Sequence, residues 1–292
     1  MNQPSVTRNS SLEYLIFSMT VQYHLVFFKR RDTLVPFAEM SPFLIGSFAA
    51  FLIGLSKTGV PGVGLASVVL MVYAFPGMQK NSTGAVLPLL ILADCFAVFY
   101  HNKNIQWKKL RQLFPPVLIG LVLGSYILER ITNTQFPVLL GIIILVLLAL
   151  EYLRNRMKWD SVPHHPAFTW CMGGATGFTT LVGNAAGPVM SIYMTAQNLS
   201  KEKFMGTWAW FFFCMNWTKV PFMCGLIFPD LKMITPETLY FDLQLIPAIV
   251  VGAVLGQRVY TLIPERYFVK LVLLLNVTPP IYMVFRPLFF PW

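Results

Sequence analysis

Three ionisable residues stand inside stretches that otherwise carry no charge: Lys57, Asp94 and Lys219. A charged side chain within an apolar span is expensive, so such a residue is by default a candidate for function. Two lysines facing one compartment would hold an anion, and a carboxylate beside them could carry a proton or pair with a lysine. Hydrogen-bonding groups cluster nearby in sequence. Ser56, Thr58 and Gly59 flank Lys57, Asn216 precedes Lys219, and Thr179, Thr180 and Asn184 lie in a second glycine-containing stretch. Blander readings stand beside this one. Asp94 and a lysine could only neutralise each other, Lys57 could snorkel from an interfacial turn, and Ser, Thr and Asn also serve as packing groups between helices.

The elements that must position these residues are membrane spans. Charged residues make up 12% of the 292-residue chain, against about 25% in soluble domains, and 56% of residues are hydrophobic, with a mean hydropathy of +0.62. Too few charges are present to cover a soluble surface. Met40–Ser56, Thr58–Gln79, Gln112–Leu128, Ile131–Leu150 and Ser161–Ser200 contain no Asp, Glu, Lys or Arg. Further apolar stretches run over Asn81–Tyr100, Phe204–Phe228, Leu243–Gln257 and Leu271–Phe285. The reading is an all-α integral membrane protein with about eight spanning helices, within a range of roughly seven to ten.

A shift of 123 residues places Gly54–Gly64 on Gly177–Gly187, and nearly the same shift places Asp94 on Asn216. A shift of 132 places Gly120 and Gly124 on Gly252 and Gly256, GxxxG pairs better suited to close packing than to binding. The chain then divides into an N-terminal lead-in (1–40), a first membrane repeat (41–155), a cytoplasmic linker (156–165) and a second repeat (166–292). Each repeat contains a glycine-rich broken helix or re-entrant hairpin. Non-helical backbone at membrane depth is tolerated where it lines a cavity, and its freed N–H groups favour an anion.

Loop charges suggest that the halves are inverted. Lys103, Lys108, Lys109 and Arg111 mark one loop as internal; Arg154, Arg156 and Lys158 against Asp160 mark the next. The loop Phe228–Asp242, with Asp230, Glu237 and Asp242 against Lys232, reads as external, and the loop bearing Arg258, Arg266 and Lys270 against Glu265 as internal. Equivalent loops thus fall on opposite sides, as in many secondary transporters. The same count puts Lys29-Arg30-Arg31 outside, against the rule.

The net charge of +10 lies in these short loops, so lipid rather than nucleic acid is the implied partner. Cys95, Cys171, Cys214 and Cys224 lack metal-ligand spacing and read as free buried thiols. His101, His164 and His165 read as loop residues. A phosphate-binding P-loop, an H-E-x-x-H motif and an embedded Ser/His/Asp set are all absent from the sequence, which disfavours an enzyme and an ATP-driven pump. No cofactor or metal is implied.

At these residues the chain resembles the TauE/SafE sulfite exporter family, the four-TMS sulfite/organosulfonate permeases, over residues 44–285. The resemblance is carried by Gly54-Leu-Ser-Lys-Thr-Gly59, by Leu87-Pro88 with Asp94, and by the paired glycine-rich breaks. Lys203-Phe-Met-Gly-Thr207 leading to Asn216-Trp-Thr-Lys219-Val-Pro221, and Pro264-Glu-Arg-Tyr-Phe268, complete it. It implies an inverted-repeat fold and export of sulfite, an organosulfonate or a related small sulfur-containing anion across a plasma membrane, the bacterial inner membrane. A secondary mechanism is implied too, with protons as an open choice of coupling ion and a homo-oligomer also open. Lys57, Asp94, Asn216 and Lys219 occupy matching positions. Two departures, Gly59-Val-Pro-Gly-Val-Gly64 in place of a glycine run and Asn184-Ala-Ala186 where relatives often keep His or Gly, bear on substrate rather than fold. A transporter of a carboxylate or a cation, or a membrane subunit or sensor without transport activity, is the alternative.

Overall fold

A computed structural model describes residues 41–58, 63–101, 103, 105–157, 166–197, 199–262, 281 and 283–285. Gly59, His164, His165 and the Pro264–Phe268 motif lie outside the described residues. The described chain is helical: α1 (Pro42–Thr58), α2 (Gly64–Tyr73), α3 (Asn81–Ala85), α4 (Leu87–Tyr100) and α5 (Trp107–Arg130) come first. They are followed by α6 (Gln135–Met157), α7 (Pro166–Gly183), α8 (Gly187–Ala196), α9 (Lys201–Met223) and α10 (Pro236–Leu262).

Among the described residues three helical stretches are long and apolar enough to cross a bilayer alone: Asn81–Tyr100, Trp107–Arg130 and Pro236–Gly256. Shorter apolar helices cover Pro42–Thr58, Gly64–Tyr73 and Gln135–Leu150. On α5, Leu118, Ile119, Val122 and Leu123 project outward at helical spacing while Val117, Leu121 and Leu128 are buried. An outward apolar stripe on a helix this long is a lipid-facing surface. The protein is a multi-pass helical membrane protein.

The most extensive helix packing joins the first part of the chain to the last. α5 lies against α7, and α10 against α1. Both crossings are made by glycines. A Cβ on Gly54 would overlap the Ile249 carbonyl and the Ala253 amide, and one on Gly177 would overlap the Val117 carbonyl and the Leu121 amide. Likewise Gly252 meets the Phe51 carbonyl, and Gly120 the Gly174 carbonyl. Gly256 abuts Leu55 and Thr58, while Gly124 abuts Phe178 and Leu181. Each of these contacts of one crossing maps onto the other by the shifts of 123 and 132 read from the sequence. Backbones in this contact leave no room for a side chain, and small residues are what allow helices in lipid to approach so closely.

The structure therefore corrects the extent of the two breaks. Gly54 and Gly177 do not interrupt helices; they lie inside α1 and α7, where the neighbouring backbone requires them. In the second half the interruption is confined to Asn184–Ala186, and α8 restarts at Gly187. Asn184 has φ +54°, a left-handed conformation that Asn tolerates better than most residues. Its N–H returns to the Thr180 carbonyl at 2.9 Å, and that of Ala185 to Thr179 at 3.1 Å, closing the end of α7.

Two further expectations change. The acidic loop is shorter than Phe228–Asp242, because α10 starts at Pro236 and takes Glu237 and Asp242 into its first turns. The start is well specified: Thr235 accepts from the Thr238 N–H at 3.3 Å, and Thr238 Oγ1 accepts from the Thr235 N–H at 2.9 Å, with Pro236 at the first helical position. The cysteines are free, but Cys95 and Cys171 are exposed and Cys214 and Cys224 half-buried. An apolar outer surface accommodates a thiol as readily as a core does.

Candidate functional site

α9 supplies the centre of the site. Phe212, Asn216 and Lys219 recur at the spacing that places side chains on one helix face. Asn216 and Lys219 are each only 1% exposed. That face looks onto α4, which brings Asp94, and onto the ends of α1 and α7.

The first cluster is an ion pair with a brace. Lys57 Nζ, on the last turn of α1, donates to Asp94 Oδ1 at 2.5 Å. Asn216 Nδ2 donates to the other carboxylate oxygen, Oδ2, at 2.5 Å. Both oxygens of the fully buried Asp94 are thus engaged. The Lys57 ammonium also lies 4.5 Å from the ring centroid of Phe212, on the helix that carries Asn216.

The second cluster holds the other lysine by neutral groups. Lys219 Nζ donates to Asn184 Oδ1 at 2.5 Å and reaches Thr180 Oγ1 at 3.4 Å and the Thr180 carbonyl at 3.5 Å. Asn184 is fixed in turn: its Nδ2 donates to the Thr83 carbonyl at 3.0 Å, while Thr83 Oγ1 donates to the Val182 carbonyl at 2.9 Å. Thus α3 ties down the end of α7. Among the described residues no carboxylate forms an ion pair with Lys219, whereas Lys57 is paired with Asp94. Lys57, Asp94 and Lys219 lie within electrostatic range of each other. By formal charge, two lysines and one aspartate give the region one net positive charge.

Not every nominated residue joins this network. Thr58 Oγ1 donates to the Ala253 carbonyl at 2.8 Å and to that of Gly54 at 3.1 Å, locking α1 to α10. Thr179 Oγ1 donates to the Ala175 carbonyl of its own helix at 2.8 Å. Ser56 faces Gly64, the first residue of α2. The position of Gly187 in the other half opens onto free space instead, and α8 starts there without a side-chain cap. Thr83 and Phe212 are the members that residue-by-residue reading passed over. Phe212 was findable, since it lies one helical turn before Asn216; Thr83 acts mainly through its backbone carbonyl, which no residue type announces.

A family model described as sulfite exporter TauE/SafE matches residues 43–281. The chain belongs to the TauE/SafE family. That span runs from the second residue of α1 through α10 and includes every residue of both clusters. No curated protein and no solved structure matches the chain. Family membership makes the protein an exporter-type membrane transporter of the sulfite class, consistent with a role other than catalysis.

Proposed function

We propose that this TauE/SafE member is a secondary transporter that exports sulfite, an organosulfonate or a related small sulfur-containing anion across the bacterial inner membrane. The anion is held where two inverted halves meet, by Lys219 and Lys57, with Thr180, Asn184 and Asn216 as orienting groups. Ser56, Thr58 and Thr179 support this site at the ends of α1 and α7, and Gly59 follows Thr58 in sequence as a further candidate for contact with the anion.

The observation that carries this reading is the state of Lys219. It is almost completely buried, makes no ion pair with a carboxylate among the described residues, and is hydrogen-bonded by neutral oxygens alone. A buried ammonium without a counter-charge is unstable unless something anionic completes it. Asp94 then balances Lys57, so that the site accepts a single negative charge without holding it too tightly to release. Supporting the two-halves reading, the glycine crossings repeat with the same register, and the paired lysines come from opposite halves.

The test is a thermal-shift screen of the purified protein against sulfite, sulfoacetate, taurine, sulfate and small carboxylates, because a ligand of the native state raises apparent stability by mass action. Stabilisation by sulfite or a sulfonate, absent with taurine's neutral zwitterion and with simple cations, is expected. Stabilisation by a carboxylate alone, or by a cation, would replace the proposed substrate class.

A further inference from the structure

Asp242 is a carboxylate that the anion site does not use. It lies on α10 and is 4% exposed, on a face continued by the buried Thr238, Leu245 and Ile249. Among the described residues no hydrogen-bond donor reaches either of its oxygens. Neighbouring Phe241 packs on Gly46 of α1 and edge-on against Phe75, and Leu245 reaches Gly46 as well, so the surroundings are apolar.

Charged groups do not compensate it. α1, packed along α10, carries Lys57 alone, which is paired with Asp94. α4 carries Asp94, Cys95 and Tyr100; α3 has no ionisable residue, with Lys80 just before it. On α10 itself, Glu237 and Tyr240 point to the surface and Arg258 lies at the far end. None of these groups forms an ion pair with Asp242.

The repeat sharpens the point. The shift of 132 that relates the two glycine crossings places Asp242 on Leu110, which is buried at 2% exposure. The scaffold position is thus a core slot that a leucine fills in one half. Packing does not call for an acid there, and a charged one is destabilising in this conformation.

We propose that Asp242 is a proton-binding site, neutral in the conformation seen here, whose loading and release couple proton movement to anion movement. This rests on the transporter reading above. A proton suits the slot because it needs no other ligand, whereas a metal cation needs several oxygens, and no cluster of three or more His, Cys, Asp or Glu occurs among the described residues. Asp94 is the poorer carrier, since both its oxygens are occupied by Lys57 and Asn216. Asp242 lies about 9 Å along the helix from its start at Pro236, and about 16 Å from the level of Ala253, where Thr58 and the anion site begin. A small tilt of the first turns of α10 would open it to water on that side without disturbing the lysines.

Two readouts test this. In the first, wild-type protein in liposomes is treated at neutral pH with a lipid-soluble carbodiimide, which reacts with protonated carboxyls, and adducts are located by mass spectrometry. An adduct on Asp242 and none on the exposed Glu237 is expected; an unmodified Asp242 overturns the proposal, whether or not the protein moves sulfite. In the second, labelled-sulfite accumulation under an imposed pH gradient is compared with gradient-free sulfite counterflow for wild type, Asp242→Asn, Asp242→Leu and Glu237→Gln. Both Asp242 variants are expected to retain counterflow and lose gradient-driven accumulation at least tenfold, with Glu237→Gln unchanged. Asp242→Leu, which reproduces the slot of the other half, is expected to melt higher than wild type. Gradient-driven accumulation that survives in Asp242→Asn, or that follows a sodium gradient in wild type, overturns the proposal. Absence of sulfite counterflow in wild type would instead count against the transporter reading.

Discussion

Removing the Asp94 charge separates a pairing role from any other, because its effects on stability and on anion affinity should have opposite signs. Asp94 is fully buried, bonded at 2.5 Å to both Lys57 and Asn216, and lies in electrostatic range of Lys219. Breaking a buried pair by deleting one partner costs about 3–5 kcal/mol, since the other charge is left unbalanced. Lys57 retains slight exposure and a contact with Phe212, which favours the lower part of that range. Asp94→Asn should therefore destabilise by about 3 kcal/mol, Lys57→Met by a similar amount, and the double variant by much less than the sum, with a coupling energy of about 2 kcal/mol or more. Meanwhile Asp94→Asn raises the local charge from one to two positive, so sulfite should bind that variant more tightly, by roughly tenfold for each 1.4 kcal/mol of added attraction. Equilibrium unfolding in detergent of the four proteins gives the cycle, and sulfite titration gives the affinities. Additive single effects, with coupling below about 0.5 kcal/mol, would refute the pair as drawn. Weaker sulfite binding by Asp94→Asn would refute the charge count at the site.

Two other predictions concern the frame around the lysines. Gly252→Val and its equivalent Gly120→Val each drive a side chain into a facing carbonyl, of Phe51 and Gly174 respectively, and should each lower stability by about 1–3 kcal/mol or more in thermal unfolding; a loss confined to one of the pair would break the correspondence between crossings. At Asn184, φ +54° penalises Ala by about 1–2 kcal/mol relative to Gly, whereas both lose the bond to Lys219. Asn184→Gly should thus melt higher than Asn184→Ala while both bind sulfite comparably weakly, and equal melting temperatures would contradict the backbone reading.

Much of this arrangement could be read from the residues. Lys57, Asp94 and Lys219 stood out because charge in an apolar span is rare, and the structure brings all three together. The offset of Asp94 onto Asn216 announced a contact as well as an equivalence, since the two side chains are bonded across the halves. GxxxG pairs marked the crossings because only glycine permits that approach. Other features were hidden in the chemistry of burial. Gly54 and Gly177 looked like helix breakers, yet a glycine required by a neighbouring backbone has the same sequence appearance as one that ends a helix. Thr58 and Thr179 looked like ligand donors, but a hydroxyl at helix spacing can bond a carbonyl one turn back, and here both do. Asp242 passed for a loop acid because the apolar run resumes only at Leu243, while the Thr235–Thr238 cap starts the helix seven residues earlier than that run.

The central claim is that Lys219 holds the anion, and equilibrium binding of radiolabelled sulfite to wild type and to Lys219→Met tests it most directly. Methionine keeps the volume and removes the charge, and relief of the buried ammonium offsets the loss of its bond to Asn184, so the fold should survive. A charge-assisted bond contributes about 1.5–3 kcal/mol, which corresponds to a loss of affinity of roughly 10- to 150-fold. A folded Lys219→Met protein that binds at least tenfold more weakly is the expected result; one that binds sulfite within about threefold of wild type, a difference under 1 kcal/mol, would contradict the site.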